Sequence, residues 1–220
     1  MSCILVFIPL LVNAELSTRD AWDNLKKLLE TGGYQVIGQE ITVGPDLSIK
    51  NVQISSEVDA QTDITFDIGS LDLTKNKDGF INISLPEEIY VQYLNEDEFG
   101  YKTEANILVR ARELDFKVSG ELSQVLYQLT ASSAGFALVE LLDNGVPSPD
   151  FSAEMEFVLA DVNSTIRATG GSTIEITSLL SASGASIKGG LSVLSVPLEL
   201  NFQYVMNQLK SSSVSNEPKV

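Results

Sequence analysis

Residues 151–159 have the sequence FSAEMEFVL, in which an apolar side chain stands at every second position. The apolar positions of this period are Phe151, Ala153, Met155, Phe157 and Leu159. A period of two places alternate side chains on opposite faces of a β-strand. Alternation, rather than a continuous apolar run, is typical of antiparallel sheets with one dry face and one wet face. The segment therefore predicts an antiparallel strand.

The same alternation recurs over much of the chain that precedes this segment. It is seen at Ile64, Phe66 and Ile68, at Ile81, Ile83 and Leu85, at Tyr101, Thr103, Ala105, Ile107 and Val109, and at Leu114, Phe116 and Val118. Turn-forming residues separate these runs at Gly44-Pro45-Asp46, at 76–79 and at Asp143-Asn144-Gly145. Residues 121–142 fit a helix or a strand, and the small residues of 130–135 favour the strand.

Some of these runs change phase halfway along. Leu47 and Ile49 are followed by Val52 and Ile54, which would reverse the buried face unless a β-bulge absorbs one residue. Because bulges bend sheets, we expect a mainly β fold built on a curved antiparallel sheet: a half-barrel, a sandwich or an open barrel-like sheet. One N-terminal amphipathic α-helix should accompany it.

That helix is predicted over residues 18–31. Ser17 or Thr18 can cap its start, and Gly32-Gly33 can end it. Its apolar face at helical spacing consists of Ala21, Trp22, Leu25, Leu28 and Leu29. The single tryptophan either fixes the helix to the sheet, which we favour, or serves as an aromatic platform for a ligand.

The first fourteen residues are typical of a secretory signal peptide. Ile4–Val12 is a continuous apolar run, and Val12-Asn13-Ala14 provides the small residues of a cleavage site before Glu15. No Lys or Arg precedes the run, so a buried N-terminal strand is the alternative. The run is too short to span a bilayer as a helix, and no transmembrane span is expected after cleavage. Cys3 lies inside this segment, so the mature chain would have no disulfide, which suits a bacterial periplasmic or secreted protein.

Composition excludes several classes of function. The 220 residues carry a formal net charge of −16, which disfavours nucleic acids and anionic lipid surfaces. Histidine is missing altogether, and this removes Ser-His, Cys-His and His-metal chemistry. The carboxylates of Glu87-Glu88 and of 96–98 fit a solvated acidic loop better than a glycosidase pair or a calcium loop. We therefore expect no enzyme activity, no metal and no cofactor.

Charge also divides the chain along its length. Between Ala168 and Leu209 only Glu175, Lys188 and Glu199 are charged, which leaves strands with few charges to guard their edges. The polar residues 211–220 predict a disordered tail. The predicted organisation is thus a signal peptide over 1–14, one β-rich domain over 15–210 and a tail.

Two stretches resemble a known family. The first consists of Asp20–Leu25 followed by Gly33-Tyr34 and Leu47–Val52. The second is Asp78–Pro86. Over about residues 15–90 they are similar to an uncharacterised family of secreted, β-rich proteins from alphaproteobacteria, a domain of unknown function. That resemblance implies a periplasmic location and supplies no catalytic residues.

The alternating strands together predict one broad apolar face. Its proposed members, which would be the ligand-binding residues, are Ile64, Phe66, Ile81, Ile83, Ile107, Phe116, Phe157 and Leu159. One short helix is narrower than a sheet of many strands, and large exposed apolar patches are rare on soluble monomers. A lipid or other amphiphile, an envelope partner protein, or the sheet folded onto itself could cover the remainder. We therefore expect either an envelope protein that binds an amphiphile or a structural, protein-interaction module.

Overall fold

The computed structural model describes residues 15–147, 151–170, 173–193 and 198–218, so the predicted signal peptide lies outside the described residues. The described residues form one helix followed by fourteen strands. Their bounds are α1 Thr18–Thr31, β1 Gln35–Val43, β2 Asp46–Asp59, β3 Thr62–Lys75, β4 Ile81–Ser84, β5 Glu88–Glu96, β6 Lys102–Arg112, β7 Asp115–Glu121, β8 Gln124–Asp143, β9 Val146–Pro147, β10 Phe151–Gly170, β11 Thr173–Ala182, β12 Gly184–Val193, β13 Leu198–Met206 and β14 Leu209–Pro218.

All strands belong to one curved antiparallel sheet, as the alternation predicted. The long strands β2, β3, β8 and β10 run through the sheet unbroken, while the strands between β3 and β8, and those beyond β10, are split in two. Thus β3 pairs with both β4 and β5, β8 pairs with both β6 and β7, and β10 pairs with both β11 and β12. β4 also pairs with β7, and β5 pairs with β6. The six strands β3, β4, β7, β8, β6 and β5 therefore close a ring of pairings, in that order.

The breaks in the split strands lie side by side and form a crease across the sheet. Glu113 separates β6 from β7 and has a positive φ of 51°. Asp161 in β10 has a positive φ of 48° and lies beside the part of β8 that faces the break between β6 and β7. Ser183, between β11 and β12, donates a hydrogen bond to the Asp161 carboxylate at 2.6 Å. In β2 and β3, Asn51 and Gly69 have φ of 53° and 73° where the register of their pairing shifts. The sheet is therefore kinked along a line rather than at isolated points.

The crease explains the change of phase seen in the sequence. Before Asn51 the buried residues of β2 are Leu47 and Ile49, and after it Val52 is buried and Ile54 packs against the same core. The left-handed conformation of Asn51 turns the strand. The odd-numbered apolar residues before Asn51 and the even-numbered ones after it therefore face the same side of the sheet. The predicted bulge is confirmed, and it keeps a single apolar face continuous across the crease.

Helix α1 covers that face on one side of the crease. Its N-terminus is closed by a capping box between Ser17 and Asp20, and its end is marked by Gly33 with φ of 87°. Trp22 is only 3% exposed, and its Nε1 donates to Glu40 on β1 at 3.0 Å. The tryptophan therefore fixes the helix to the sheet, as favoured from the sequence. Around it lies a core of buried side chains: Leu16, Ala21, Val36, Leu47, Ile49, Val52, Ile68, Leu71, Leu73, Ile81, Ile83, Val118, Val125 and Tyr127.

The last strand corrects one prediction. Residues 211–220 were expected to be a disordered tail, but Leu209–Pro218 forms β14 and pairs with β11 along its whole length. The ambiguous segment 121–142 is the strand β8, as favoured. Serine-rich sequence predicted disorder at the end of the chain because it offers little apolar surface. In the sheet, backbone hydrogen bonds to β11 hold β14 in place, although its side chains offer little apolar surface.

Gly69 provides a direct test of the crease. A Cβ added there would meet nothing within 4 Å, so Gly69→Ala changes only the cost of a positive φ. We expect a loss of about 1–2 kcal/mol in the free energy of unfolding, because a left-handed conformation is costly for a residue with a Cβ. Urea titration followed by circular dichroism measures this loss.

Gly184 is the matched control, because it also borders the crease but has no positive φ. A Cβ there would lie 3.6 Å from the nearest atom, an ordinary contact. Gly184→Ala should change stability by less than about 0.5 kcal/mol. Equal effects of the two substitutions would contradict a strained backbone at the crease.

Candidate functional site

The apolar face continues beyond the crease, where two rows of apolar side chains cross the strands. Directly paired residues of antiparallel strands share a face, so the register defines each row. The first row is Val36, Ile54, Phe66, Val91, Ile107 and Leu138, on β1, β2, β3, β5, β6 and β8. The second row is Ile89, Val109, Phe136, Phe157, Ile187 and Tyr204, on β5, β6, β8, β10, β12 and β13.

The second row lies on the same side of the sheet as α1. Ile89, its first member, packs against the core cluster that contains Trp22, and so does Phe66 of the first row. Phe136 and Phe157 stack at 5.4 Å between ring centroids in the middle of the second row. The row is thus a continuation of the hydrophobic core into a region that the helix does not cover.

Exposure of the apolar side chains increases with distance from the helix. Val36 and Val91 are buried, whereas Phe136, Phe157 and Ile187 are half-buried. At the far end, Tyr204 is 66% exposed. Met155, Leu200, Phe202 and Met206 are also exposed in this region. The sheet therefore presents an accessible apolar surface on β10, β12 and β13.

The opposite face of the same strands carries polar rows, beside the paired residues Tyr90 and Leu108. Gln92, Asn106 and Glu140 form a cross-strand row there, and the amide of Asn106 donates to the carboxylate of Glu140 at 3.1 Å. Glu156 and Lys188 are paired in the same way, with 3.8 Å between Oε2 and Nζ. This sidedness shows that the apolar rows follow from the strand pattern and are not a general property of the surface.

A concave region of about 780 Å³ lies next to the apolar rows. Its walls come from β8, β10, β12 and β13 and include Leu138, Met155, Phe202 and Glu154. Gly189 and Gly190 leave β12 without side chains at this point. A Cβ on Gly189 would overlap the ring of Phe202, so the glycine allows that ring to lie flat on the strand.

The predicted ligand residues separate into two groups. Phe66, Ile107 and Phe157 lie in the two rows, and Leu159 and Ile64 lie one step to either side. Ile81 and Ile83, by contrast, are buried in the core, and Phe116 packs against it. Ile81 and Ile83 are almost fully buried, so their inclusion in the binding face is corrected here. Phe116 is half-buried and lies apart from the two rows.

Sequence reasoning missed several members of the rows. Val91 and Tyr93 alternate within β5 beside the acidic residues that drew attention to that segment. Ile187 lies in a stretch that lacks the longer alternation, whereas Tyr204 belongs to the alternating series Leu198, Leu200, Phe202, Tyr204 and Met206, a signal that was available in the sequence. The alternation of Ile89, Val91 and Tyr93 was a usable signal, whereas the membership of Ile187 depends on its pairing with Phe157.

Three titratable groups of the described residues have shifted pKa values. Burial raises the pKa of Tyr127, whose hydroxyl donates to Asn24 Oδ1 of α1 at 2.6 Å. Desolvation and the neighbouring Asp143 raise the pKa of Tyr101, and the backbone N–H of Gln61 lowers the pKa of Asp59. Within the described ranges, no three His, Cys, Asp or Glu side chains are grouped as metal ligands.

Comparisons of the chain with protein-family models, curated proteins and solved structures found no match. Over the part of the chain that the structure describes, no helix combines the length and the hydropathy that crossing a membrane requires.

Proposed function

We propose that this protein is a non-enzymatic protein of the bacterial envelope, periplasmic or secreted, that binds the apolar chain of an amphiphile along the second row. The observation that carries the proposal is the row itself. It consists of six apolar side chains on six neighbouring strands, and it becomes accessible where α1 ends.

The dimensions of the row suit an acyl chain. Six strands at about 4.8 Å spacing extend over roughly 24 Å. One leaflet of hydrocarbon is about 15 Å deep, half of the bilayer core. A single acyl chain laid across the strands would therefore contact several members of the row, and its head group would reach solvent near Tyr204.

Charge restricts the class of amphiphile. The formal net charge of −16 disfavours anionic head groups, as it disfavours anionic membrane surfaces. A neutral or zwitterionic lipid is the ligand that this charge and the apolar row together favour.

The test uses the neutral fluorescent probe 1-N-phenylnaphthylamine, whose emission rises in apolar surroundings. We expect saturable binding to the purified protein, and displacement of the probe by a monoacylglycerol. Ile187→Gln should weaken binding about tenfold, because burying an isoleucine side chain contributes about 1.5–3 kcal/mol.

Leu179→Gln is the matched control. Leu179 is an exposed aliphatic residue of β11 whose direct partner is Thr165, and it lies on the opposite face from the rows. It should leave probe affinity unchanged. No saturable binding, or equal weakening by the two variants, would contradict the proposal and favour the alternative of a protein-interaction module.

A further inference from the structure

β13 is an edge strand that lacks the usual protection. Among the described residues it pairs with β12 alone, so its other side presents backbone N–H and C=O groups that no described strand pairs. Natural edge strands are usually guarded by lysine, proline or inward charges. The nine residues of β13 contain one charged residue, Glu199, whereas β14 carries Lys210 and Pro218.

The side chains of β13 are apolar on the face of the rows. Leu200, Phe202, Tyr204 and Met206 alternate on that face, and each is more than two-fifths exposed. Phe202 and Tyr204 stack on each other at 6.0 Å between ring centroids. On the other face lie Asn201, Gln203 and Val205.

We propose that β13 pairs antiparallel with β13 of a second copy of this chain, about a two-fold axis at Phe202. In that register Leu200 faces Tyr204, Asn201 faces Gln203 and Phe202 faces its own copy. Apolar side chains thus meet apolar ones, and the two amides can exchange hydrogen bonds.

The side-chain charges at the proposed pairing do not oppose a second copy. In this register Glu199 faces Val205, so no like charges are opposed within the new pairing. A two-fold interface is also closed, which limits assembly to a dimer.

The other exposed edge of the sheet fits β13 less well. On β1, Glu40 occupies the face of the rows and is held by Arg19 Nη1 at 2.6 Å and Trp22. Pairing β1 with β13 would place this carboxylate beside apolar side chains. It would also join copies head to tail, which gives a ring or an open filament rather than a two-fold dimer.

The experiment measures the mass of the full chain in solution by sedimentation equilibrium over a range of concentrations. We expect a reversible species of twice 23.8 kDa. Tyr204→Lys should shift the equilibrium to monomer by at least tenfold in the dissociation constant, since two lysines would enter the apolar contact. Val214→Lys is the matched control on β14, because Val214 is 65% exposed on the other half of the same edge.

Cross-linking tests the register. In a Cys3→Ser background, Phe202→Cys should give a disulfide-linked dimer under mild oxidation, and Val214→Cys should not. A monomer at every concentration, an open series of oligomers, or cross-linking at 214 but not at 202 would each overturn the proposal. None of these results depends on whether the protein binds an amphiphile.

Discussion

Trp22→Ala should lower the free energy of unfolding by about 3–5 kcal/mol, the range for truncating a buried aromatic side chain. Trp22 is 3% exposed and lies in the core between α1 and the sheet. The substitution leaves a cavity where the helix packs against the sheet. It also removes the hydrogen bond from Nε1 to Glu40. Guanidinium chloride titrations of both proteins, followed by far-ultraviolet circular dichroism, measure the difference.

Trp22→Phe separates packing from hydrogen bonding. Phenylalanine keeps an aromatic ring in the site but cannot donate to Glu40, which still has Arg19 as a partner. We expect a smaller loss, about 1.5–3 kcal/mol, as for a hydrogen bond to a charged group. A change within about 0.5 kcal/mol for Trp22→Ala would show a surface position and contradict the role of Trp22 in fixing the helix.

Ile81→Ala should lower the free energy of unfolding by about 2–5 kcal/mol. Ile81 is 0% exposed. It pairs with Lys75 on β3 and with Val118 on β7, so it lies where β4 joins β3 to β7 in the ring of pairings. Removing its side chain leaves a cavity that strands paired on both sides cannot close by collapse. The same denaturant titration gives the loss.

Ile37→Ala is the matched control for Ile81. It makes the same chemical change on β1, where the isoleucine is 60% exposed, and should cost less than about 0.5 kcal/mol. If the two alanine variants lost equal stability, the core would not lie where the structure places it. Probe binding by folded Ile81→Ala should match the wild-type protein, because Ile81 is not part of the accessible rows.

The antiparallel strands could be predicted because their signal is local. The alternation of Ile64, Phe66 and Ile68 depends only on the period of two that a half-buried strand imposes. The helix was predictable for the same reason, since a capping serine, an apolar face and two glycines lie within seventeen neighbouring residues, Ser17 to Gly33. The prediction of disorder was wrong for residues 211–218, because β14 is held by pairing with β11, which the serine-rich segment does not reveal.

The candidate site was predictable only in part. Phe157 and Ile107 were identified as apolar-face residues, but the same alternation describes Ile81 and Ile83 beneath the helix. Nothing local distinguishes a strand position covered by α1 from one left accessible. That difference depends on which side of the crease a residue lies, and therefore on long-range pairing.

The sequence by itself determined the strand period, the helix and its caps, the acidic charge, and the change of phase between Ile49 and Val52. Each is set by residues close together in the chain. Only the tertiary structure decided that the phase changes align in one crease, that α1 covers one side of it, and that Phe157, Ile187 and Tyr204 join in a row. The reason is register: three strands far apart in sequence become neighbours through backbone hydrogen bonds, which every residue type except proline can donate and accept, so side-chain pattern alone does not specify their alignment.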